Sequence, residues 1–130
     1  MDPRFPDTPP LADRAAVTAP DGSTVVPLLA TERGSMARFE LDPGTTSKAV
    51  RHRTVEEIWT VVAGRGEMWR RAGSHESVIE LVPGTCLAIA VGTSFQFRSA
   101  GPEPLVVIAV TMPPWPGDDE AELVEGCPGW

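Results

Sequence analysis

A chain of 130 residues of which 42% are hydrophobic suits one domain with its own buried core, and is too apolar for a disordered polymer. The formal net charge is −7 and no Lys/Arg-rich block occurs, which argues against nucleic-acid binding because phosphate recognition needs a clustered positive field. Fourteen Pro and twelve Gly favour short elements joined by many turns over long helices.

The sequence carries no sign of a membrane or secreted protein. Its first residues, MDPRFPDTPPLADRAA, lack the apolar stretch of a signal peptide, and no apolar run is long enough to span a bilayer. We therefore expect no membrane partner and a cytoplasmic location. The two cysteines, Cys86 and Cys127, do not suggest a disulfide framework. Because Cys86 lies in an apolar run, we expect it to act as a small core residue.

The elements fall into three stretches along the chain. Residues 1–22 are rich in Pro and Asp, which predicts an irregular N-terminal arm. In residues 23–112, strand-like segments alternate with Pro/Gly turns, at 23–29, 35–41, 55–62, 67–71, 77–82, 85–91, 94–99 and 105–112. Residues 113–130 form a Pro-, Trp- and acid-rich tail in which DDEAELVE suggests one or two helical turns. About eight short strands indicate an all-β sandwich or barrel.

Two motifs resemble those of the cupin family. Glu57 and Gly64 keep the six-residue gap of the first cupin motif, and His52 stands four intervening residues before Glu57. The stretch GTCLAIAVGTSFQFRS (84–99) resembles the second motif, with Gly84 and Gly92 at its two glycine positions. The resemblance covers about residues 35–112. It implies a cupin double-stranded β-helix, which is a jelly-roll barrel, over residues 23–112.

The resemblance also implies a four-ligand metal site, from which this sequence departs. Val50 stands where the first His of the His-x-His pair is expected, and Phe95 replaces the His of the second motif; Ala90 and Ser99 replace its Pro and Asn. A divalent transition metal usually takes three or more protein ligands. We therefore expect no cofactor, and if a metal does bind, its protein ligands are His52 and Glu57.

Strand alternation predicts which side chains face the barrel interior. Because successive side chains point to opposite faces, Glu57 shares the interior with an apolar, aromatic set of expected ligand-binding residues: Val50, Trp59, Val61, Phe95, Phe97 and Ser99. Within it, His52 and Glu57 are the candidate catalytic residues, since a carboxyl group in an apolar setting has a raised pKa or pairs with an imidazolium. The simpler interpretation is that the aromatic residues are core and that the polar pair is inert.

Three functions remain open from the sequence. The first is binding of a small, largely apolar metabolite with metal-independent isomerase, cyclase or dehydratase chemistry by His52 and Glu57. The second is a non-catalytic ligand-binding or sensor cupin. The third is a metal-dependent enzyme whose incomplete ligand set is completed by water or His75. The resemblance also implies a homodimer, with residues 23–29 as a candidate exchanged strand, but it does not identify the ligand.

Overall fold

Two antiparallel β-sheets build the protein. The computed structural model describes residues 4–130. The strands are β1 (Val17–Thr18), β2 (Thr24–Ala30), β3 (Ser35–Leu41), β4 (Val50–His52), β5 (Glu56–Ala63), β6 (Gly66–Ala72), β7 (His75–Leu81), β8 (Cys86–Ile89), β9 (Ser94–Ser99), β10 (Leu105–Met112) and β11 (Ala121–Leu123). The first sheet has the order β1-β2-β3-β10-β5-β8, and the second has the order β11-β4-β9-β6-β7. This all-β arrangement confirms the predicted jelly-roll barrel.

Alternation along each strand builds the core between the sheets. In β5, Trp59 and Val61 are buried while Ile58 is half exposed. Trp59 of the first sheet meets Phe97 of the second, with ring centroids 4.9 Å apart. Burial of such large aromatic side chains contributes about 1.5–3 kcal/mol each. The barrel is therefore closed by direct aromatic packing between its two sheets.

The C-terminal tail covers part of the second sheet. β11 pairs with β4, in a register that places Ala121 opposite His52. Further along, the main-chain N–H of Cys127 donates to the Gln96 side chain at 2.9 Å, and the Arg98 guanidinium lies 4.2 Å from the centre of the Trp130 ring. The tail is thus an integral part of the sheet, which explains why β9 is buried on both faces.

Several local expectations differ from the structure. The strands at 35–41, 94–99 and 105–112 have the predicted bounds, but β1, β4 and β11 were not predicted, because two or three residues are too few to show alternation. The acidic segment forms one short 3-10 helix at Asp118–Glu120 and then β11. Cys86 is exposed, so its prediction as a core residue is wrong: Leu87 and Ile89 take the inward positions of β8. No helix within residues 4–130 is long and apolar enough to cross a membrane.

Candidate functional site

A cavity of about 500 Å³ lies against the predicted His–Glu pair. Its walls are contributed by the N-terminal arm, by β2 and β3, and by the beginning of the C-terminal tail. Its most buried lining residues are Asp21, Val50, His52, Glu57 and Thr111. The cavity therefore joins the part of the barrel predicted from the motifs to two segments that the motifs do not include.

Neighbouring strands fix the two polar side chains. His52 ends β4, which lies between β9 and β11, and the parity of β4 buries His52 while Arg51 points outward to Glu122. Glu57 lies in β5, between Thr111 of β10 and Ile89 of β8. The same parity leaves the preceding residue, Glu56, exposed. Both members of the pair thus come from paired strands, whose register fixes the positions of their backbones.

His52 and Glu57 lie close together without a mutual hydrogen bond. Nδ1 of His52 is 3.8 Å from Oε2 of Glu57, and the side chains are 5% and 3% exposed. Oε2 accepts a hydrogen bond from Nε1 of Trp59 at 3.2 Å. Among residues 4–130, Nδ1 of His52 has no hydrogen-bond partner. A buried polar atom left without a partner costs about 1–3 kcal/mol, so it calls for an explanation.

Burial moves the pKa values of the pair in opposite directions. Desolvation lowers the pKa of His52 to about 4, opposed in part by the nearby Glu120 carboxylate. Desolvation raises the pKa of Glu57 to about 7; the Trp59 hydrogen bond opposes this shift and the charge of Asp21 adds to it. Between these two values both groups are neutral. The site then holds a neutral imidazole beside a protonated, neutral carboxyl group.

Aromatic rings surround the imidazole. The His52 ring meets Phe95 edge to face at a centroid distance of 5.2 Å and Trp115 at 5.0 Å. Trp59 packs behind Phe95, with ring centroids 6.2 Å apart. Trp115 belongs to the tail and lines the cavity. The imidazole is therefore held between a ring of the core and a ring of the tail.

Glu120 organises the turn that follows His52. Its Oε1 accepts from the main-chain N–H groups of Thr54 and Val55 at 2.5 and 2.7 Å, and its Oε2 accepts from the Thr54 hydroxyl at 2.8 Å. These hydrogen bonds lower the pKa of Glu120 against the opposing effect of its desolvation. Glu120 is thus a buried carboxylate that connects the tail to the turn between β4 and β5.

The structure divides the predicted site residues into two groups. His52, Glu57 and Val50 line the cavity. The other predicted ligand-binding residues are buried but are not among the lining residues: Trp59, Val61, Phe95, Phe97 and Ser99. Ser99 lies near the Glu103 carbonyl, with 3.5 Å between their oxygens. A ligand-binding role for these five stays a prediction.

The cavity also contains residues that the sequence analysis missed. These are chiefly Arg14 and Asp21 of the arm, Phe39 of β3 and Trp115 of the tail. Phe39 lies in the predicted strand at 35–41, but the roles of the other three depend on how the arm and tail fold back. The only available signal was the clustering of large apolar residues in the tail.

The donor set does not fit a tightly held metal ion. Val50 and Phe95 are cross-strand partners in β4 and β9, and neither side chain has a lone pair to offer at the positions that the cupin motifs assign to ligands. Within residues 4–130, no group of three or more His, Cys, Asp and Glu side chains is arranged to hold a metal. Structural and catalytic divalent sites usually need at least three protein donors.

Solved structures of similar fold support the architecture. CapF, the capsular polysaccharide assembling protein of Staphylococcus aureus, is 23% identical with a TM-score of 0.71 over 89% of this chain and 36% of CapF. KdgF from Halomonas sp. is 17% identical, with a TM-score of 0.72 over 88% of this chain and 98% of KdgF. A variant of oxalate decarboxylase from Bacillus subtilis is 16% identical, with a TM-score of 0.71 over 81% of this chain and 29% of that enzyme. This chain thus spans about a third of the length of CapF, and these identities establish the fold alone.

The family assignment comes from the sequence itself. No curated protein sequence matches the chain. The family model described as "Cupin domain" matches residues 37–111, which is more than half of the chain. These residues include both motifs, the His52–Glu57 pair and the strands β4, β5 and β9 that position it. The chain therefore belongs to the cupin domain family.

Proposed function

We propose that this cupin binds a small, largely apolar metabolite in the cavity and moves protons on it with His52 and Glu57, without a metal. One observation carries the proposal: a buried imidazole and a buried carboxyl group lie 3.8 Å apart with pKa values displaced in opposite directions. Titratable pairs whose surroundings separate their pKa values in this way are typical of acid–base sites.

In the proposed reaction, His52 is the general base and Glu57 is the general acid. The neutral imidazole of His52 takes a proton from a substrate carbon while the Glu57 carboxyl group gives its proton to a substrate oxygen. A ketone thereby becomes an enol, whereas an alcohol loses water. The imidazolium and carboxylate that result have opposite charges close together, which lowers the cost of charging both groups in a buried site.

Completion of the reaction restores both groups. For an isomerisation, His52 returns its proton to a different carbon of the enol, and the enol oxygen returns its proton to Glu57. For a dehydration, the proton left on His52 replaces the one that Glu57 lost. Isomerase, cyclase and dehydratase chemistry all share this exchange of one proton at each group.

The cavity favours a compact ligand with few polar atoms. A volume of about 500 Å³ lies within the range of about 300–1,000 Å³ that is usual for small-molecule sites. Phe39 and Trp115 offer ring surfaces to an aromatic or polyene body. His52 and Glu57 place one imidazole and one carboxyl group on the cavity wall, which suits a ligand with one or two polar atoms.

The test is isomerisation of a β,γ-unsaturated cyclohexenone and of larger cyclic ketones of the same type, followed by the absorbance of the conjugated product. We expect the native protein to accelerate the reaction over buffer, and Glu57→Gln and His52→Ala to abolish the acceleration. Glu56→Gln and His75→Ala are matched controls, since both residues are exposed, and should retain it. Full activity in Glu57→Gln would contradict the proposed role of the pair.

Binding without turnover is the second candidate. It is supported by Trp115, whose ring covers one side of the His52 imidazole and would restrict substrate exchange. Mass spectrometry of the purified protein under native conditions distinguishes the candidates. A metabolite retained unchanged, together with no acceleration of any ketone, would favour the binding role.

A further inference from the structure

The N-terminal arm brings a basic side chain, that of Arg14, to the cavity. Arg14 is half-buried and lines the cavity together with Thr8 and residues 17–21. Among the cavity-lining residues of the described chain, it is the only Arg or Lys. Thr8 fixes the same part of the arm, since its hydroxyl donates to the Leu28 carbonyl at 2.7 Å. The position of Arg14 is therefore set by the contact between the arm and β2.

Backbone carbonyls orient the Arg14 guanidinium. Its Nη1 donates to the carbonyl of Leu28 at 3.0 Å and approaches that of Pro9 at 3.5 Å, and its Nη2 donates to the carbonyl of Pro27. A guanidinium has five N–H groups, and these contacts use three at most. At least two N–H groups, including Nε–H, are left without a hydrogen bond to residues 4–130.

Within residues 4–130, the positive charge of Arg14 has no carboxylate partner. Five other arginines form ion pairs with Glu side chains, namely Arg38, Arg51, Arg53, Arg65 and Arg98. No carboxylate of the described residues forms such a pair with Arg14. Its neutral carbonyl partners fix its direction without cancelling its charge. A guanidinium held in this way beside an apolar cavity is suited to bind an anionic group.

We propose that the ligand of this cavity is an apolar monocarboxylate, whose carboxylate binds Arg14 while its apolar body extends past Phe39 and Trp115 toward His52 and Glu57. This inference rests on the proposed function, because it names the ligand class of the same cavity. A single carboxylate is favoured over a phosphate or a dicarboxylate. Asp21 and Asp118 also line the cavity, and their carboxylates would repel a second negative charge.

The test compares two probes that differ only in their polar end group, naphthylacetate and naphthylethanol. Binding is measured by isothermal titration calorimetry with the full chain. We expect the acid to bind at least about tenfold more tightly, as a charge-assisted hydrogen bond predicts. Arg14→Gln should weaken only the acid and remove the difference. Arg14→Lys should retain part of the difference in affinity, because the positive charge remains while the two-point hydrogen bonding of the guanidinium is lost.

Two controls locate the effect. Arg33→Gln removes an exposed arginine outside the cavity and should leave both affinities unchanged. Ala37→Trp fills the cavity and should abolish binding of both probes. If Arg14→Gln weakens both probes equally, Arg14 only holds the arm in place and the inference is wrong.

The remaining outcomes separate the inference from the proposed function. Equal binding of acid and alcohol by the native protein, or a preference that survives in Arg14→Gln, would overturn the inference and leave the cavity as a binding site. Failure of both probes to bind would overturn the inference and the proposed function together.

Discussion

Nδ1 of His52 and Oε2 of Glu57 lie 3.8 Å apart inside the barrel, and neither side chain is more than 5% exposed. This separation is too long for a hydrogen bond, but it is short enough for each charge to affect the other. The pair therefore differs from an inert polar contact, in which the two groups would satisfy each other. Its pKa values of about 4 and about 7 make the pair testable through the pH dependence of stability.

Replacing Glu57 with Gln should stabilise the protein more at high pH than at low pH. The folded protein keeps the Glu57 proton up to about pH 7, whereas the ordinary value is 4.5, so the contribution of this group to stability falls as the pH rises through that window. Gln does not ionise. The free energy of unfolding of Glu57→Gln relative to the native protein should therefore increase by about 2–3 kcal/mol between pH 5 and pH 8. Urea unfolding at both pH values measures it, with Glu56→Gln as the exposed control; the same shift at both values would rule out the raised pKa.

Replacing His52 with Phe should have the opposite pH dependence. The pKa of His52 lies at about 4 in the folded protein and at 6.5 ordinarily, so the unfolded chain binds the proton first and stability is lost as the pH falls from 6.5 toward 4. Phe keeps an aromatic ring against Phe95 and Trp115. The gain in unfolding free energy of His52→Phe over the native protein should be about 2 kcal/mol larger at pH 5 than at pH 8. The exposed His75→Phe is the control, and a pH-independent effect of His52→Phe would argue against a depressed pKa.

The barrel and the pair could be predicted from the sequence because both depend on local patterns. The gap between Glu57 and Gly64 identified the family, and strand alternation placed Glu57 inside and its neighbour outside. Parity does not say which inward residues touch a cavity and which pack against one another. Trp59 and Phe97 meet across the two sheets, so this part of the interior is filled, and the space lies nearer to His52.

The contributions of the arm and tail could not be predicted, since they depend on contacts between distant residues. Glu120 binds the turn at Thr54 across 66 positions of sequence, and Trp115 reaches His52 across a comparable distance. Pro-rich composition correctly predicted the lack of long elements in the tail. It does not indicate that the tail forms β11 and places a ring beside the imidazole.

Removing the Trp115 ring should raise the pKa of His52. Trp115 lies 5.0 Å from the imidazole and helps to exclude the water whose absence keeps that pKa at about 4. In Trp115→Ala, we expect the pKa of His52 to move toward 6.5 and ligand affinity to fall. NMR titration of the imidazole carbon-bound protons measures the pKa directly. Trp130→Ala is the matched control, because it removes another tryptophan of the tail, one that packs on Arg98. An unchanged pKa of His52 in Trp115→Ala would show that the core residues alone exclude water from the imidazole.

Truncating Glu120 should destabilise the protein by about 2–4 kcal/mol. The change leaves two main-chain N–H groups and one hydroxyl without their acceptor. The buried Val55 N–H alone costs about 1–3 kcal/mol, and the two donors of the exposed Thr54 add less because water can replace the carboxylate there. Glu120→Ala should also release the attachment of the tail, which amide hydrogen exchange at Ala121–Leu123 would detect. Asp119→Ala changes the exposed neighbour and should have a small effect. Equal stability of the two variants would mean that the carboxylate does not hold the turn.

Metal binding should appear only when the missing donors are restored. The native protein, incubated with Fe, Mn, Ni or Zn and then dialysed, should retain much less than one ion per chain by elemental analysis. Val50 and Phe95 are direct cross-strand partners, and such pairs have Cβ atoms about 4.5–5.5 Å apart. The double variant Val50→His/Phe95→His therefore adds two imidazoles on the side of β4 that carries His52, and with Glu57 it reaches four donors.

The double variant should take up about one Zn²⁺ or Ni²⁺ per chain and melt at a higher temperature when the metal is present, because binding to the folded state alone stabilises it. Val50→Ala/Phe95→Ala is the control that opens the same space without adding donors, and it should bind no more metal than the native protein. One tightly held ion per chain in the native protein would show that His52 and Glu57 suffice as protein ligands. A folded double variant that takes up no metal would instead mean that these side chains do not converge on one point. Either result would mean that Val50 and Phe95 are not the reason for weak metal binding by the native protein.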